Sequence, residues 1–256
     1  MARKIIRRSL RFLGITALIL VLIAGIGYLV LNKSMPEGQE GPEAEAMADK
    51  IMEAVNADAW DDLNLIAWTF RGAHSFVWDQ KRNLVEVKWD DNRVLVAPQS
   101  GKGLAWVDGE KQEGEDAVEL VAKGKHLFWN DSFWMHGYTK LRDPGTTRKI
   151  VELEDGGKGL LVTYSSGGTT PGDSYLWMVD ENGLPTGWQM WVEILPIGGL
   201  EFSFEQWAPL HNGAMLAYNH SSFAFDIPLD DVQSGDNLKD IGRPADLFDE
   251  LIALGK

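Results

Sequence analysis

Residues 65–97 read LIAWTFRGAHSFVWDQKRNLVEVKWDDNRVLVA. Within them Ile66, Trp68 and Phe70, then Phe76 and Trp78, then Val85, Val87 and Trp89 fall at every second position among more polar neighbours. A period of two puts alternate side chains on one side of a strand, so the stretch predicts sheet with one buried face. Strands are expected at 65–70, 75–79, 84–89 and 93–97, at nearly hairpin spacing.

The pattern continues downstream. Further strands are expected at 103–108, 149–153, 158–165, 174–180, 187–194, 200–207 and 214–225. Asp155-Gly156-Gly157, Gly167-Gly168, Asn182-Gly183, Gly198-Gly199 and Asn212-Gly213 lie between them and supply the positive-φ residues of tight turns. Residues 115–128 interrupt with helical spacing through Val118, Leu120, Val121 and Leu127. A meander of about eleven strands must curl into a barrel or half-barrel, or split into two sheets, to limit its edges. The fold class expected is mainly β (α+β): an antiparallel half-open β-barrel of about eleven strands with packing helices, preceded by one transmembrane helix. Residues 175–179 (YLWMV) and 188–192 (WQMWV) are apolar on both faces. One face meets the interior; the other needs a helix, a ligand or a membrane over it, and a helix is the plainer cover.

Upstream, Met47, Ile51 and Val55 stand at i, i+4 and i+8 after Pro42, which predicts one amphipathic helix of about fourteen residues. Residues 244–254 (PADLFDELIAL) carry Leu247, Phe248, Leu251 and Leu254 on one stripe. Their acidity favours a packing helix over a membrane-surface helix. Residues 226–242, with Asp230-Asp231 and Lys239-Asp240, read as an acidic loop.

An uncharged run of twenty residues begins at Phe12 and ends at Leu31 (FLGITALILVLIAGIGYLVL). As a helix it spans about 30 Å, the thickness of a bilayer's hydrocarbon. Arg3, Lys4, Arg7, Arg8 and Arg11 precede it and should hold the N-terminus in the cytoplasm. A cleaved signal peptide is the rival reading, but the run is long for one and leads into Asn32-Lys33-Ser34-Met35-Pro36 rather than a small-residue site. The expected organisation is a cytoplasmic basic tail and inner-membrane, single-pass anchor over 1–33, a short flexible stalk over 34–42, and an extracytoplasmic barrel-like domain over 43–256.

Residues 1–33 hold six basic groups and no acid, leaving 34–256 with 18 basic against 38 acidic, a net charge of −20. Such a body repels phosphate backbones, so no nucleic-acid partner is expected. The absence of cysteine excludes disulfides, thiol nucleophiles, thiolate metal sites and a lipid-modified N-terminal Cys. No Gly-x-Ser-x-Gly elbow occurs, and the five histidines (His74, His126, His136, His211, His220) show no metal-ligand spacing. Residues 166–172 are Gly-rich but lead into a strand, which is the wrong context for a phosphate loop. No catalytic residue, metal or cofactor is assigned.

Eleven tryptophans remain to be explained. Aromatic area on that scale belongs to a core or to a ligand. The candidate cavity lining is Trp68, Phe70, Phe76, Trp78, Trp89, Trp177 and Trp188. Residues 128–143 (FWNDSFWMHGYTKLRD) mix five aromatics with charges, and read either as a cavity rim, with Phe133, Trp134, Lys140 and Arg142 at its mouth, or as a plug in the barrel end.

The element order, together with NDSFWMHGYTKLRDPG (130–145) and SSGGTTPGDSYLWMVDENGLP (165–185), resembles the periplasmic lipoprotein-carrier (LolA/LolB-like) superfamily, in a bacterial membrane-anchored branch, over about residues 43–225. The resemblance implies a half-open barrel closed by helices around an apolar cavity for acyl chains. The chain lacks the lipid-bearing Cys of a receptor and has an apolar anchor in place of a soluble carrier's cleaved signal. The first functional expectation is therefore a membrane-anchored extracytoplasmic protein that binds a membrane lipid or an acylated protein. The alternatives are a structural or envelope-assembly module with a filled core, and a hydrolase using His74, His136 or His220 with a carboxylate.

Overall fold

A computed structural model describes residues 15, 16, 25, 27–29, 31–166 and 171–254. The anchor expected at 12–31 lies largely outside the described residues; 27–29 and 31 are helical, and among the described residues no helix is long and apolar enough to cross a membrane.

Among the described residues, fourteen strands form two antiparallel sheets. The larger, in spatial order, is β12 (Glu205–Pro209), β13 (Met215–Ser221), β14 (Asp226–Gly235), β1 (Leu65–Phe70), β2 (His74–Asp79), β3 (Leu84–Trp89), β4 (Asn92–Ala97), β5 (Lys102–Val107) and β6 (Glu110–Lys111). The smaller is β11 (Leu200–Ser203), β10 (Pro185–Trp191), β9 (Ser174–Val179), β8 (Lys158–Tyr164) and β7 (Thr146–Glu152). The quoted stretch forms the hairpins β1–β4 as expected. Arg71, Asn83 and Asp90 take positive φ at their turns, where Asn and Asp are tolerated by the left-handed region.

Three strands differ from expectation. The run 200–207 is two strands, β11 and β12, because the chain bends at Phe204 to pass from the smaller sheet to the larger. The short β6 pairs Trp106 and Val107 with Lys111 and Glu110. The supposed acidic loop begins with β14, whose Ile227 and Leu229 are buried while Asp226, Asp230 and Asp231 point to water. A bulge against β1 falls between Ala67 and Thr69, where Asp231 has a φ of 53°. Density of charge hid an alternating strand, and that strand joins β13 to β1.

Four described helices complete the body: α1 (Pro42–Ala54), α2 (Ala57–Asp61), α3 (Gly114–His136) and α4 (Asp249–Ala253). In α1, Ala44, Ala48 and Ile51 are fully buried, and the two alanines let the helix lie close against β7 and β8. The predicted C-terminal helix is shorter than its stripe suggested. Leu238, Ile241, Phe248 and Leu251 cover the outer face of the larger sheet over Leu65, Ala67, Val77, Leu84, Leu95 and Leu104.

The segment expected to be a flexible stalk is docked. Lys33 bonds the β10–β11 turn, its N–H donating to Gly198 O at 2.9 Å, while Gln39 exchanges two backbone hydrogen bonds with Ile150 on β7, the opposite edge. Residues 33–39 thus run as a strap from the β10–β11 turn to the edge of β7, where Gly38 lies against Val151. Gly38 is required there: a Cβ would lie 2.8 Å from Ile150 O and from Lys149 Cβ. On β10 the outer-facing Trp191 meets this strap, its indole N–H donating to Lys33 O, rather than the helix expected.

The aromatic interior as the candidate functional site

Helix α3 connects β6 of the larger sheet to β7 of the smaller and packs on the inner faces of β3, β4 and β5, with contacts to β13. Gly124 lies where it crosses the sheet; a Cβ would sit 3.2 Å from Val94 and 3.4 Å from the Trp89 ring. The helix runs on past 128 to His136 and continues as a 3₁₀ turn, Gly137–Thr139. Its second half buries Phe128, Asp131, Ser132, Met135 and His136, and the 3₁₀ turn buries Tyr138. A helix enclosed on several sides carries no single apolar stripe, which is why periodicity stopped short.

Toward the larger sheet, Trp68 stacks on Phe76 at 4.6 Å between ring centroids, and Phe128 meets Trp78 edge-on at 5.2 Å. Toward the smaller, Phe133 lies 5.8 Å from Trp188 and 4.8 Å from Tyr175, and Trp134 touches Trp188 at 4.9 Å and Phe202 at 4.7 Å. Trp177 meets Trp188 at 4.9 Å, and Tyr138 bridges to Trp60 and Trp207. Edge-to-face geometry of this kind adds about 0.5–1.5 kcal/mol per pair beyond burial.

The seven proposed lining residues all lie on the inner faces of the two sheets. Trp68, Phe76, Trp177 and Trp188 are almost completely buried, and the α3 aromatics occupy the space between them. Of the four rim residues, Phe133 and Trp134 join this interior. Lys140 and Arg142 do not: Arg142 reaches α1 and donates to Glu45 and Asp49. Arg148, on the inner face of β7, donates to the same Glu45 carboxylate, and that hydrogen bond is the main reason its carboxyl lies below the usual range. Tyr138, Tyr164, Tyr175, Phe202 and Phe204 also belong to the interior, though the sequence reading did not single them out. Alternation in 200–207 was the signal for the two phenylalanines.

Polar groups inside are few and unevenly satisfied. The indole N–H of Trp60 and the hydroxyl of Tyr138 each donate to Met215 O at 3.0 Å. The indole nitrogens of Trp68, Trp78, Trp89, Trp177 and Trp188 and the hydroxyl of Tyr164 are buried without a hydrogen-bond partner. Burial pushes the hydroxyls of Tyr138, Tyr164 and Tyr175 up.

The histidines do not converge. Burial holds His136 at a pKa of about 3, helped by the Lys140 charge and opposed by its hydrogen bond to Ser132 O. Burial holds His220 at about 3 as well; nearby backbone of Ser203 and Trp134 favours protonation without forming a hydrogen bond of normal geometry. Both are neutral at pH 7, too weakly basic to serve as general bases there. His74 on β2 pairs instead with the buried Asp131 of α3, Nδ1 to Oδ2 at 2.7 Å. Among the described residues no three His, Asp or Glu groups gather to hold a metal. Two hollows, of about 640 and 460 Å³, lie outside the interior: one by Lys81, Arg82 and Leu238, the other by Val107, Asp116 and Leu120.

No family model matches the sequence. No curated protein matches it significantly. Among solved structures the chain is similar to that of a DUF1329 family protein from Desulfovibrio piger, at 10% identity, covering 82% of this chain and 98% of that one with a TM-score of 0.40. At that score and identity the likeness identifies no site.

Proposed function

We propose that the chain is a membrane-tethered, extracytoplasmic structural module of the cell envelope, a half-open barrel of the lipoprotein-carrier type whose interior is filled by its own helix. The tether is the apolar run 12–31 in the inner membrane, with the N-terminus cytoplasmic and the body outside. One observation carries the reading: the second half of α3 and the 3₁₀ turn after it place Phe128, Phe133, Trp134, Met135 and Tyr138 where a carrier would need room for an acyl chain.

Magnitudes support it. Full burial of a large apolar side chain is worth about 2–3 kcal/mol, so expelling this plug into water costs on the order of 10 kcal/mol. That is comparable with the whole stability of a domain, about 5–15 kcal/mol. An acyl chain arriving from a bilayer is already out of water and returns little hydrophobic gain. The test is native mass spectrometry of the full chain released from membranes in mild detergent. Ligand-free protein, with no thermal shift on adding fatty acid or phospholipid, is the expected result; stoichiometric co-purified lipid overturns the reading.

One observation favours acyl binding as the second reading. Five buried indole N–H groups and the Tyr164 hydroxyl have no acceptor, and each such group costs about 1–3 kcal/mol. A membrane lipid or acylated protein bringing ester or carboxylate oxygens among Trp68, Trp78, Trp89, Trp177 and Trp188 recovers part of that cost, with α3 as the element that moves.

A further inference from the structure

Three contacts fasten the β10–β11 turn to the residues that directly follow the apolar run. Lys33 N–H donates to Gly198 O at 2.9 Å, Gly198 N–H donates to Asn32 Oδ1 at 2.8 Å, and the Trp191 indole N–H donates to Lys33 O at 2.8 Å. The fit is close: a Cβ on Gly199 would lie 2.6 Å from Lys33 Cβ. Asn32 N–H in turn donates to Tyr28 O at 2.9 Å, the i to i−4 bond of a helical turn.

The turn itself is Ile194-Leu195-Pro196-Ile197-Gly198-Gly199, with no charge after Glu193. Ile194 is 61% exposed. In the helical residues that lead to Asn32 and Lys33, Tyr28, Leu29 and Leu31 are exposed as well. Trp191, half-buried with its N–H bonded, has the amphipathic form that suits a membrane–water boundary.

We propose that residues 194–197 form a second bilayer contact, seated among the phospholipid carbonyls and upper acyl chains beside the end of the anchor. The proposal rests on the membrane-tether reading above. Its occupant is lipid because the turn is bonded to the two residues at which the chain leaves a bilayer-length apolar run. The contact is apolar rather than ionic: with a net charge of −20 over residues 34–256, the body is repelled by anionic head groups. An apolar foothold next to the anchor therefore sets the tilt of the body, which one helix and charge repulsion alone leave free.

The chain has no cysteine, so single-cysteine variants of the full chain place a probe without background. Ile194→Cys carries an environment-sensitive fluorophore; Asn182→Cys, in the turn at the opposite end of β10 and about 20 Å away along the strand, is the control. Both are reconstituted in phosphatidylcholine–phosphatidylglycerol vesicles containing lipids brominated high on the acyl chain. The expected result is blue-shifted emission and loss of most of the signal to the bromolipid at 194, with water-like, unquenched emission at 182. Emission at 194 matching that at 182, while the chain resists alkaline carbonate extraction, overturns the second contact and leaves the tether standing. A label at 194 shielded from water yet not reached by bromolipid shows a protein surface over the turn and also overturns it. Extraction by carbonate overturns both.

Discussion

Trp60 and Tyr138 donate to one oxygen, the carbonyl of Met215, each at 3.0 Å. The first belongs to α2 and the second to the 3₁₀ turn after α3, so a single acceptor on β13 ties the entry of the body to the end of its plug.

This sharing makes a non-additive prediction. Tyr138→Phe and Trp60→Phe each leave the carbonyl with one donor; the first costs about 1 kcal/mol, the second that plus its lost packing. The double variant leaves a buried acceptor unpaired, so its loss exceeds the sum of the two by about 1 kcal/mol. Urea unfolding of the three variants and the parent measures the cycle; additive losses contradict the shared-acceptor account.

The pair His74–Asp131 gives a pH prediction. Burial raises the Asp131 carboxyl above its ordinary value, against the opposing hydrogen bonds from Asn130 and His74. The folded state thus binds this proton more tightly than the unfolded one, so the stability it contributes is fully present below the unfolded pKa of about 3.8 and is lost as pH rises through the folded value. Asp131→Asn keeps an acceptor toward His74 and removes the buried charge. It is expected to match or exceed the parent's melting temperature at pH 7, with a flatter profile above pH about 4. Marked destabilisation at pH 7 would show that the ionised pair outweighs its desolvation.

Glu45 has the opposite sign. Hydrogen bonding from Arg148, then the Arg148 and Arg142 charges, hold its pKa down, so it contributes stability above the unfolded value that is lost as pH falls through the folded one. The carboxylate is well exposed, and Glu45→Gln should cost no more than about 1 kcal/mol at pH 7. Melting curves of variant and parent should converge in acid and approach one another in high salt; a gap that does not narrow as pH falls below the ordinary value of 4.5 refutes the ionic origin.

Gly38→Val tests the strap. Its side chain has no room between Ile150 O and Lys149 Cβ, so the segment must lift from the edge of β7 at a cost of about 1–3 kcal/mol. Limited proteolysis should newly cleave within residues 33–41 while the two sheets stay protected. Unchanged cleavage would mean that the strap is not held at Gly38.

Legibility in the sequence followed the local physics. Hairpins β1–β4 were readable because Ile66, Trp68 and Phe70 alternate with few charges nearby, and α1 was readable from Met47, Ile51 and Val55. Strand β14 was not, because Asp226, Asp230 and Asp231 mask two buried positions and its partner β1 lies far away in sequence. Of the interior, the tryptophans announced themselves by number. The sequence alone does not decide whether Phe133 and Trp134 lie between the sheets or at a rim, because that depends on where α3 ends and its aromatics face two sheets at once.

The pairing of β1 with β14 couples the beginning of the body to its end. A ribosome or a translocation channel delivers residue 65 well before residue 235, so the broad sheet cannot be completed during synthesis. Until the tail emerges, β1 waits with one open flank, and a polypeptide emerging by its N-terminus must keep that flank from strangers. Completion of the fold is thus a late, whole-chain event, and truncation before β14 should yield an aggregating fragment rather than a smaller version of the same domain.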